Sequence, residues 1–539
     1  LVLAAALFTL ALLAYAPASP AAETPAASQP AAEQATIYKI RNRWLHDQFL
    51  TDRGGVVGYG TGDDDSYRWT LEPDAGGLQR LRNVGSGGYA ALAPDGSGVV
   101  TAKTFPAGAA GQWEIEVGVF PMRWIKSQAS GKYLNCEHQH DLVTADGANL
   151  PKGDNWWSGQ WELVHVGGPP PAKYFRRGQV AVLAPAYGST IKGDTTVTIR
   201  APGMTGVEVK CWKQGEGFGA DSTVAAVTLD ASGAGSFIFP ANDYPHGPVT
   251  VRITGSAGKA TDTCFLQLYN AGGVSWNEGM PKTDPPAAAG MKLLFADDFE
   301  SLSVSKTGAG ARYCAHKPGG GDFSSLPFTD PDSPHSPFAN VDSYLRIRAD
   351  ANAKTSGLIS ALRMDGTGIT ANVPCYFECR LIGPSAPGTW PAFWLMTQGV
   401  YKGLNVPADE LDTIEAYGGW GPGSPNQLGY WITTHYWNQG EQGKKQTGVY
   451  KQVPMTKLGG QASWPWTFHV YGTKITASDT IYYCDNVEVG RHPTGQVSKT
   501  QPWFFFINLA TGGGWPVDLS RYDGVADMYV DWVRVYQGP

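Results

Sequence analysis

Residues 407–418 read PADELDTIEAYG and hold three carboxylates within six positions: Glu410, Asp412 and Glu415. Alternate side chains of a strand share a face, so Glu410 and Asp412 point one way and Glu415, five positions after Glu410, points the other. One extra residue restores it. A β-bulge inserts such a residue, and bulges are common beside active sites. A bulge near Thr413 and Ile414 therefore puts all three acids on one face. Carboxylates crowded together push one pKa up, so that one group stays ionised and another stays protonated near neutral pH. A pair of this kind, about 5–5.5 Å apart, is what hydrolysis of a glycosidic bond with retention requires. Glu410 would then be the nucleophile and Glu415 the general acid, later the base, with Asp412 between them hydrogen-bonding Glu410. Taken alone, the six residues also fit a surface strand with solvated acids.

The segments around the acids favour the chemical reading. TWPAFWLM at 389–396 precedes them and TTHYW at 433–437 follows. FFINLATGGGWP at 505–516 and MYVDWVRVY at 528–536 lie near the end, and LFADDFE at 294–300 opens the region. In this order, over most of 291–539, the set resembles glycoside hydrolase family 16. ELDTIE matches the six-residue, bulged form of that family's motif, shared by its laminarinase-like and agarase-like branches. The resemblance implies a concanavalin-like β-jelly-roll of two curved antiparallel sheets, whose concave face is an open polysaccharide cleft. It implies endo-hydrolysis or transglycosylation at β-linkages with retention, and no cofactor for the chemistry. It assigns the nucleophile and acid/base to Glu410 and Glu415, with Asp412 assisting, in agreement with the strand argument.

Trp390, Trp394, Tyr417, Trp420, Trp431, Trp437 and Trp515 are candidates for stacking on sugar rings, with core packing as the alternative for each. Trp390 and Trp394 share parity along a strand, as do Trp431 and Trp437. Trp394, Trp515 and Asn508 lie in segments that match the family's substrate-lining ones. His435, on a neighbouring strand, is placed to hydrogen-bond an acid or a sugar, or to sit in the core. Many relatives carry a structural calcium on the convex side. Asp531 matches the usual side-chain ligand and Glu300 lies near the expected entry strand, while calcium also takes backbone carbonyls.

Composition bounds the rest. The chain has 539 residues, enough for about three to five domains. Charged residues are 17%, with a net charge of -7, 68 Gly, 38 Pro and 19 Trp. That profile excludes coiled coils and disorder, and no basic stripe points to nucleic acid. It suits an all-β protein. Residues 1–16, LVLAAALFTLALLAYA, are apolar, uncharged and shorter than a typical span of about 20 residues. Small residues follow, so a secretory signal is expected over 1–22, with an Ala/Pro-rich linker over 23–35. A secreted or periplasmic location permits disulfides among the seven cysteines, none of which has a zinc-ligand spacing.

Residues 36–166 contain a triplication. YKIRNRWLHDQFL, LQRLRNVGSGGYAAL and MRWIKSQASGKYLN each open a unit, and each unit closes on a tryptophan: Trp69, Trp113 and Trp161. This resembles a ricin-type or fascin-like β-trefoil. The closing Gln112-Trp113 and Gln160-Trp161 lack the spacer of the lectin's Gln-x-Trp, so the closers are expected in the core, with Trp156 and Trp157 as surface candidates. Residues 172–272 show short alternating strands with turn signals. They resemble a bacterial immunoglobulin-like spacer domain, in which Cys211 and Cys264 are expected to pair. A linker follows over 273–290, then the catalytic region over 291–539. There Cys314 or Cys484 is expected to partner Cys375 or Cys379, leaving Cys136 odd. The whole reads as a monomeric, secreted enzyme on a β-1,3- or mixed β-1,3-1,4-glucan. A bacterial exopolysaccharide or agar-type galactan is the next substrate class, and a non-catalytic polysaccharide-binding or adhesion protein the alternative class.

Overall fold

The structure is a computed structural model. It describes residues 35–45, 47–96, 98–117, 122–136, 144–147, 157–168, 179–213, 221–275, 279–402, 406–419, 429–439, 446–455, 464–513, 515 and 517–539. The expected signal, Trp156 and Trp420 lie outside the described residues. Almost all regular structure is β, and the α-helix among the described residues, Gln496–Thr500, is five residues long.

In the first region the opening strand Ile37–Asn42 pairs with the last, Gln160–Gly167, so the chain closes on itself. Trp69, Trp113 and Trp161 are buried to 1% exposure or less. A buried indole N–H needs a partner. Each donates to a main-chain carbonyl of its own unit: Leu50 at 3.0 Å, Ala90 at 2.9 Å and Leu134 at 2.9 Å. The repeat extends to the turns. Asn42 and Asn83 accept from main-chain N–H groups with their side-chain oxygens, and the Ser127 hydroxyl does the same in the third unit. The three closing tryptophans are thus structural, as their spacing suggested.

The middle region packs a three-stranded sheet (Ala181–Ala184, Asp194–Arg200, Ala234–Pro240) against a five-stranded one. Val197, Ile199, Phe237 and Phe239 on one side meet Val209, Val251 and Ile253 on the other. The expected Cys211–Cys264 bridge is absent. Cys211 lies on Gly206–Trp212 and Cys264 on Ala260–Asn270, with Gly247–Ala257 paired between them. Two strand spacings, about 9.5 Å, exceed the reach of about 7 Å between Cα atoms that a disulfide allows. All seven cysteines are free and buried, so neither Cys314 nor Cys484 bridges Cys375 or Cys379.

This region is also docked rather than strung out. Arg521 donates to Asp262 at 2.6 Å and to the Val180 carbonyl at 2.9 Å, and the Tyr187 N–H donates to Asp523 at 2.7 Å. Tyr269 is buried among Tyr344, Phe468 and Tyr529. The segment read as a linker is folded down as well. Arg534 donates to the carbonyls of Pro281 and Thr283, the Tyr536 hydroxyl donates to Asp284, and Ala287 and Ala288 bury against Tyr376 and Tyr536.

The last region is two eight-stranded sheets sharing one apolar core. The outer sheet centres on Val525–Gln537, flanked by Tyr344–Asp350 and Cys375–Ile382. The inner sheet runs through Gly357–Ser360, Trp503–Thr511, Thr389–Thr397, Ala408–Glu415, Gly429–Trp437 and Gln446–Pro454. Trp503–Thr511, WFFFINLAT, is buried throughout, which is why its sequence shows no polar alternation.

Candidate active site

The acids lie on Ala408–Glu415, between Thr389–Thr397 and Gly429–Trp437. Glu410 pairs with His435 and Asp412 with Thr433, but Glu415 pairs with Trp431, three residues against two. On the other edge Asp412 faces Trp394 and Ile414 faces Phe393, two residues against one. The extra residue is Thr413. Its hydroxyl points into the core and meets Thr473 of the outer sheet at 2.7 Å, and Ile414 is fully buried. Two successive inward side chains return Glu415 to the face of Glu410 and Asp412, and all three line a cleft of about 440 Å³. The bulge sits where the spacing of the acids required it.

The surroundings of the carboxylates are mostly neutral donors. The Trp437 indole N–H donates to Glu410 Oε2 at 2.9 Å. His435 Nε2 stands 3.7 Å from Glu410 Oε1 and 3.5 Å from Asp412 Oδ2. Glu415 accepts from the Trp390 indole and the Tyr417 hydroxyl at Oε1, both at 3.2 Å, and from the Thr433 hydroxyl at Oε2, at 3.0 Å. Burial, then the charges of Glu415 and Asp412, hold the Tyr417 phenol far above its ordinary pKa, so it stays a neutral donor.

Of the sugar-binding candidates, Trp390, Trp394, His435, Trp437 and Asn508 all line the cleft. They divide by role. Trp390 and Trp437 are tied to the acids. Trp394 is only 5% exposed, stacks on Phe506 at 4.1 Å and donates to Asn508 Oδ1 at 2.7 Å. Asn508 in turn donates to the Trp390 carbonyl at 3.3 Å. Trp394 and Asn508 therefore brace the wall more than they offer a free face. Trp515 is 37% exposed and is not among the residues lining the cleft. Trp431 stacks on Tyr450 at 4.4 Å, and Tyr450 reaches the cleft.

The sequence reading missed Thr433, Tyr450, Lys317 and Phe323, which also line the cleft. Thr433 shares parity with His435 and Trp437, so alternation along the strand contained it. Lys317 and Phe323 arrive on an irregular segment with no periodic signal.

The residues do not fit the expected calcium. Asp531 is wholly buried and ion-paired with Arg380, and also accepts from the Gly279 N–H. A guanidinium stands where a cation would. Glu300 is exposed. Among the described residues two groups bring three ligand-type atoms within 4.8 Å of one another, Glu410–Asp412–His435 and His469–Cys484–Asp485, and neither contains Asp531 or Glu300.

No family model matches the chain. It is 30% identical over 261 residues to the endo-1,3-1,4-beta-glycanase EglC of Rhizobium meliloti (strain 1021), an alignment covering 45% of this chain and 51% of that protein. It is 28% identical over 180 residues to the beta-glucanase of Rhodothermus marinus, covering 30% of this chain and 56% of that one. The chain thus spans about half the length of these curated relatives. Among solved structures, the laminarinase from Flavobacterium sp. UMI-01 aligns with 46% of this chain and 100% of its own, at 20% identity and a TM-score of 0.36.

Proposed function

We propose that the chain is a secreted, retaining endo-β-glycanase that hydrolyses a β-1,3- or mixed β-1,3-1,4-glucan. The observation that carries the reading is the bulge at Thr413, which gathers Glu410, Asp412 and Glu415 on the floor of an aromatic-walled cleft. Relatives named as endo-1,3-1,4-beta-glycanase and beta-glucanase support the substrate class.

The hydrogen bonds support the division of roles. An indole N–H only donates, so Trp437 favours a Glu410 that stays ionised, as a nucleophile must; Glu415 has an indole donor too, from Trp390, but it also has hydroxyl partners. A hydroxyl donates or accepts, so Thr433 serves Glu415 both as carboxylate and as carboxylic acid. That suits a group which changes protonation twice per turnover. Glu410 attacks the anomeric carbon and forms a glycosyl-enzyme ester while Glu415 protonates the departing oxygen. Glu415 then takes a proton from the water that hydrolyses the ester.

In the same reading 36–166 is a β-trefoil, 172–272 an immunoglobulin-like domain and 291–539 a jelly-roll. The trefoil would hold the enzyme on its polymer and raise the effective concentration of chain at the cleft. Trp157, 49% exposed under the Arg43 guanidinium, is its candidate contact. The deciding experiment is Glu410→Gln assayed on lichenan and laminarin. Reducing-end release is expected to fall about 10³-fold or more, with retention in polymer-containing gels unchanged. A wild type inert on glucans, galactans and exopolysaccharides alike would replace the enzyme with a binding protein.

A further inference from the structure

We propose that His316 is a positioning residue: clamped between Asp322 and Asp330, its imidazolium holds the strap 315–323 against the cleft and so sets substrate affinity. The inference rests on the glycanase reading for its kinetic consequence, but the clamp itself is read from geometry.

The strap reads AHKPGGGDF. His316 Nδ1 lies 3.0 Å from Asp322 Oδ2, and Nε2 lies 2.6 Å from Asp330 Oδ1. A neutral imidazole has one N–H, so one of its nitrogens would face a carboxylate lone pair to lone pair. The cation donates to both. Asp322 belongs to the strap itself and Asp330 to the segment beyond it, where Lys306 also holds Asp330 at 2.8 Å. The clamp thus closes the strap on itself and pins it to the body of the domain.

In the middle the Gly320 N–H donates to the Lys317 carbonyl at 3.1 Å. Gly319, Gly320 and Gly321 all have φ between 82° and 87°, a left-handed run that glycine alone adopts without strain. A Cβ on Gly319 would come within 2.9 Å of the Val400 carbonyl, so the strap lies directly on the backbone of Gln398–Lys402. The ends are tied independently: Ala315 N–H to the Ser305 carbonyl at 3.0 Å, and Ser325 N–H to the Thr511 carbonyl at 2.9 Å. Between them, Lys317, Gly321 and Phe323 form part of the cleft lining. The Phe323 ring sits edge-on to Trp390 and Trp394, with centroids 5.2 and 5.9 Å away. The Trp390 indole bonds Glu415, so the strap braces the wall that carries the proposed acid/base.

The charges facing His316 set its pH window. The hydrogen bond to Asp322, then that to Asp330, raises its pKa above the ordinary 6.5 despite partial burial. Lys306 faces Asp330 from behind and Asp332 faces Lys306, while burial raises the pKa of the adjacent Cys314 thiol and keeps it neutral. A histidine raised in the folded state stabilises fully below its unfolded pKa and loses that contribution as pH rises through the folded one. The clamp is therefore closed at the ordinary histidine pKa of 6.5 and opens as pH rises through the raised one.

The test uses the full chain with His316→Gln and His316→Arg, lichenan as substrate, and hydrogen–deuterium exchange of the peptide covering 315–325. Loss of one charge-assisted hydrogen bond corresponds to about a tenfold change. At pH 6, His316→Gln is expected to raise KM about tenfold, with kcat little changed, and to speed exchange of the strap by a similar factor. As pH rises through the raised histidine pKa, wild type and His316→Gln should converge, while His316→Arg, which keeps the cation, stays at the low KM. Equal KM and equal exchange for wild type and His316→Gln at pH 6 would overturn the proposal. If no β-glucan is turned over, the glycanase reading fails on its own, and exchange alone still judges the clamp.

Discussion

On the outer sheet Asp527, Asp531 and Glu378 each face an arginine; on the cleft sheet Glu410, Asp412 and Glu415 face indoles, hydroxyls and one histidine. Arg348 grips Asp527 through two bonds of 2.7 Å, Arg380 pairs with Asp531, and Arg534 reaches Glu378 at 2.5 and 2.6 Å. All six acids are buried or nearly so. A guanidinium keeps its charge at any working pH and matches a carboxylate's geometry, so each outer acid has a permanent cationic partner. The cleft acids are held instead by neutral donors and one histidine. On the proposed function, the structural acids are matched by charge and the acids of the cleft by hydrogen-bond donors.

The sharpest way to break this contrast is to make the same substitution on both sheets. Glu415→Gln is expected to lower kcat about 10²–10⁴-fold, with urea unfolding little changed. Glu378→Gln leaves Arg534 buried without its carboxylate, costing about 3–5 kcal/mol of stability, while activity per folded molecule stays at wild type. If Glu378→Gln lost activity beyond its unfolded fraction, the two sheets would not be separable in this way.

Asp412→Asn and Asp531→Asn sharpen the contrast at the next level. With Asp412 as the assisting acid of the proposed mechanism, 3.5 Å from His435 Nε2, Asp412→Asn is expected to lower kcat about 10–100-fold. Asp531→Asn strands Arg380, again at a cost of about 3–5 kcal/mol. Adding Arg380→Met should recover much of that loss in unfolding experiments, because it removes the stranded charge. A site that needed Asp531 for a cation would instead fail in the double variant.

The same contrast explains what the sequence made visible. Glu410, Asp412 and Glu415 are close in sequence, and the two-residue alternation of a strand turns their spacing into a bulge near Thr413 and Ile414, which the structure places at Thr413. The closing Trp69, Trp113 and Trp161 were legible because each unit repeats its own indole-to-carbonyl bond. Arg380 lies 151 positions before Asp531, so the acid that the family resemblance offered as a calcium ligand showed its arginine partner only once the sheet order was known. Cys211 and Cys264 misled for a related reason: both lie on strands of the middle region, but the hairpin Gly247–Ala257 to Ala260–Asn270 inserts a strand between them. The strap at 315–323 carries no period at all, and its place comes from its two end anchors and from the contacts of His316 with Asp322 and Asp330.

The smallest expected effects fall on the hydroxyl partners and test the contrast most finely. Thr433 and Tyr376 each give one hydroxyl to a glutamate, Thr433 to the half-buried Glu415 at Oε2, 3.0 Å, and Tyr376 to the buried Glu378 at Oε2, 3.0 Å. Thr433→Val keeps the shape of the side chain and removes a partner of Oε2 that serves either protonation state. A hydrogen bond of about 1 kcal/mol predicts about a fivefold lower kcat. KM should be little changed, because the missing bond matters where Glu415 exchanges its proton. Tyr376→Phe removes an equivalent bond from an acid already locked by Arg534. Its cost of about 1 kcal/mol should appear in unfolding alone. Equal kcat for Thr433→Val and wild type would mean that Trp390 and Tyr417 suffice to hold Glu415, and that the hydroxyl at Oε2 is packing like its counterpart across the sandwich.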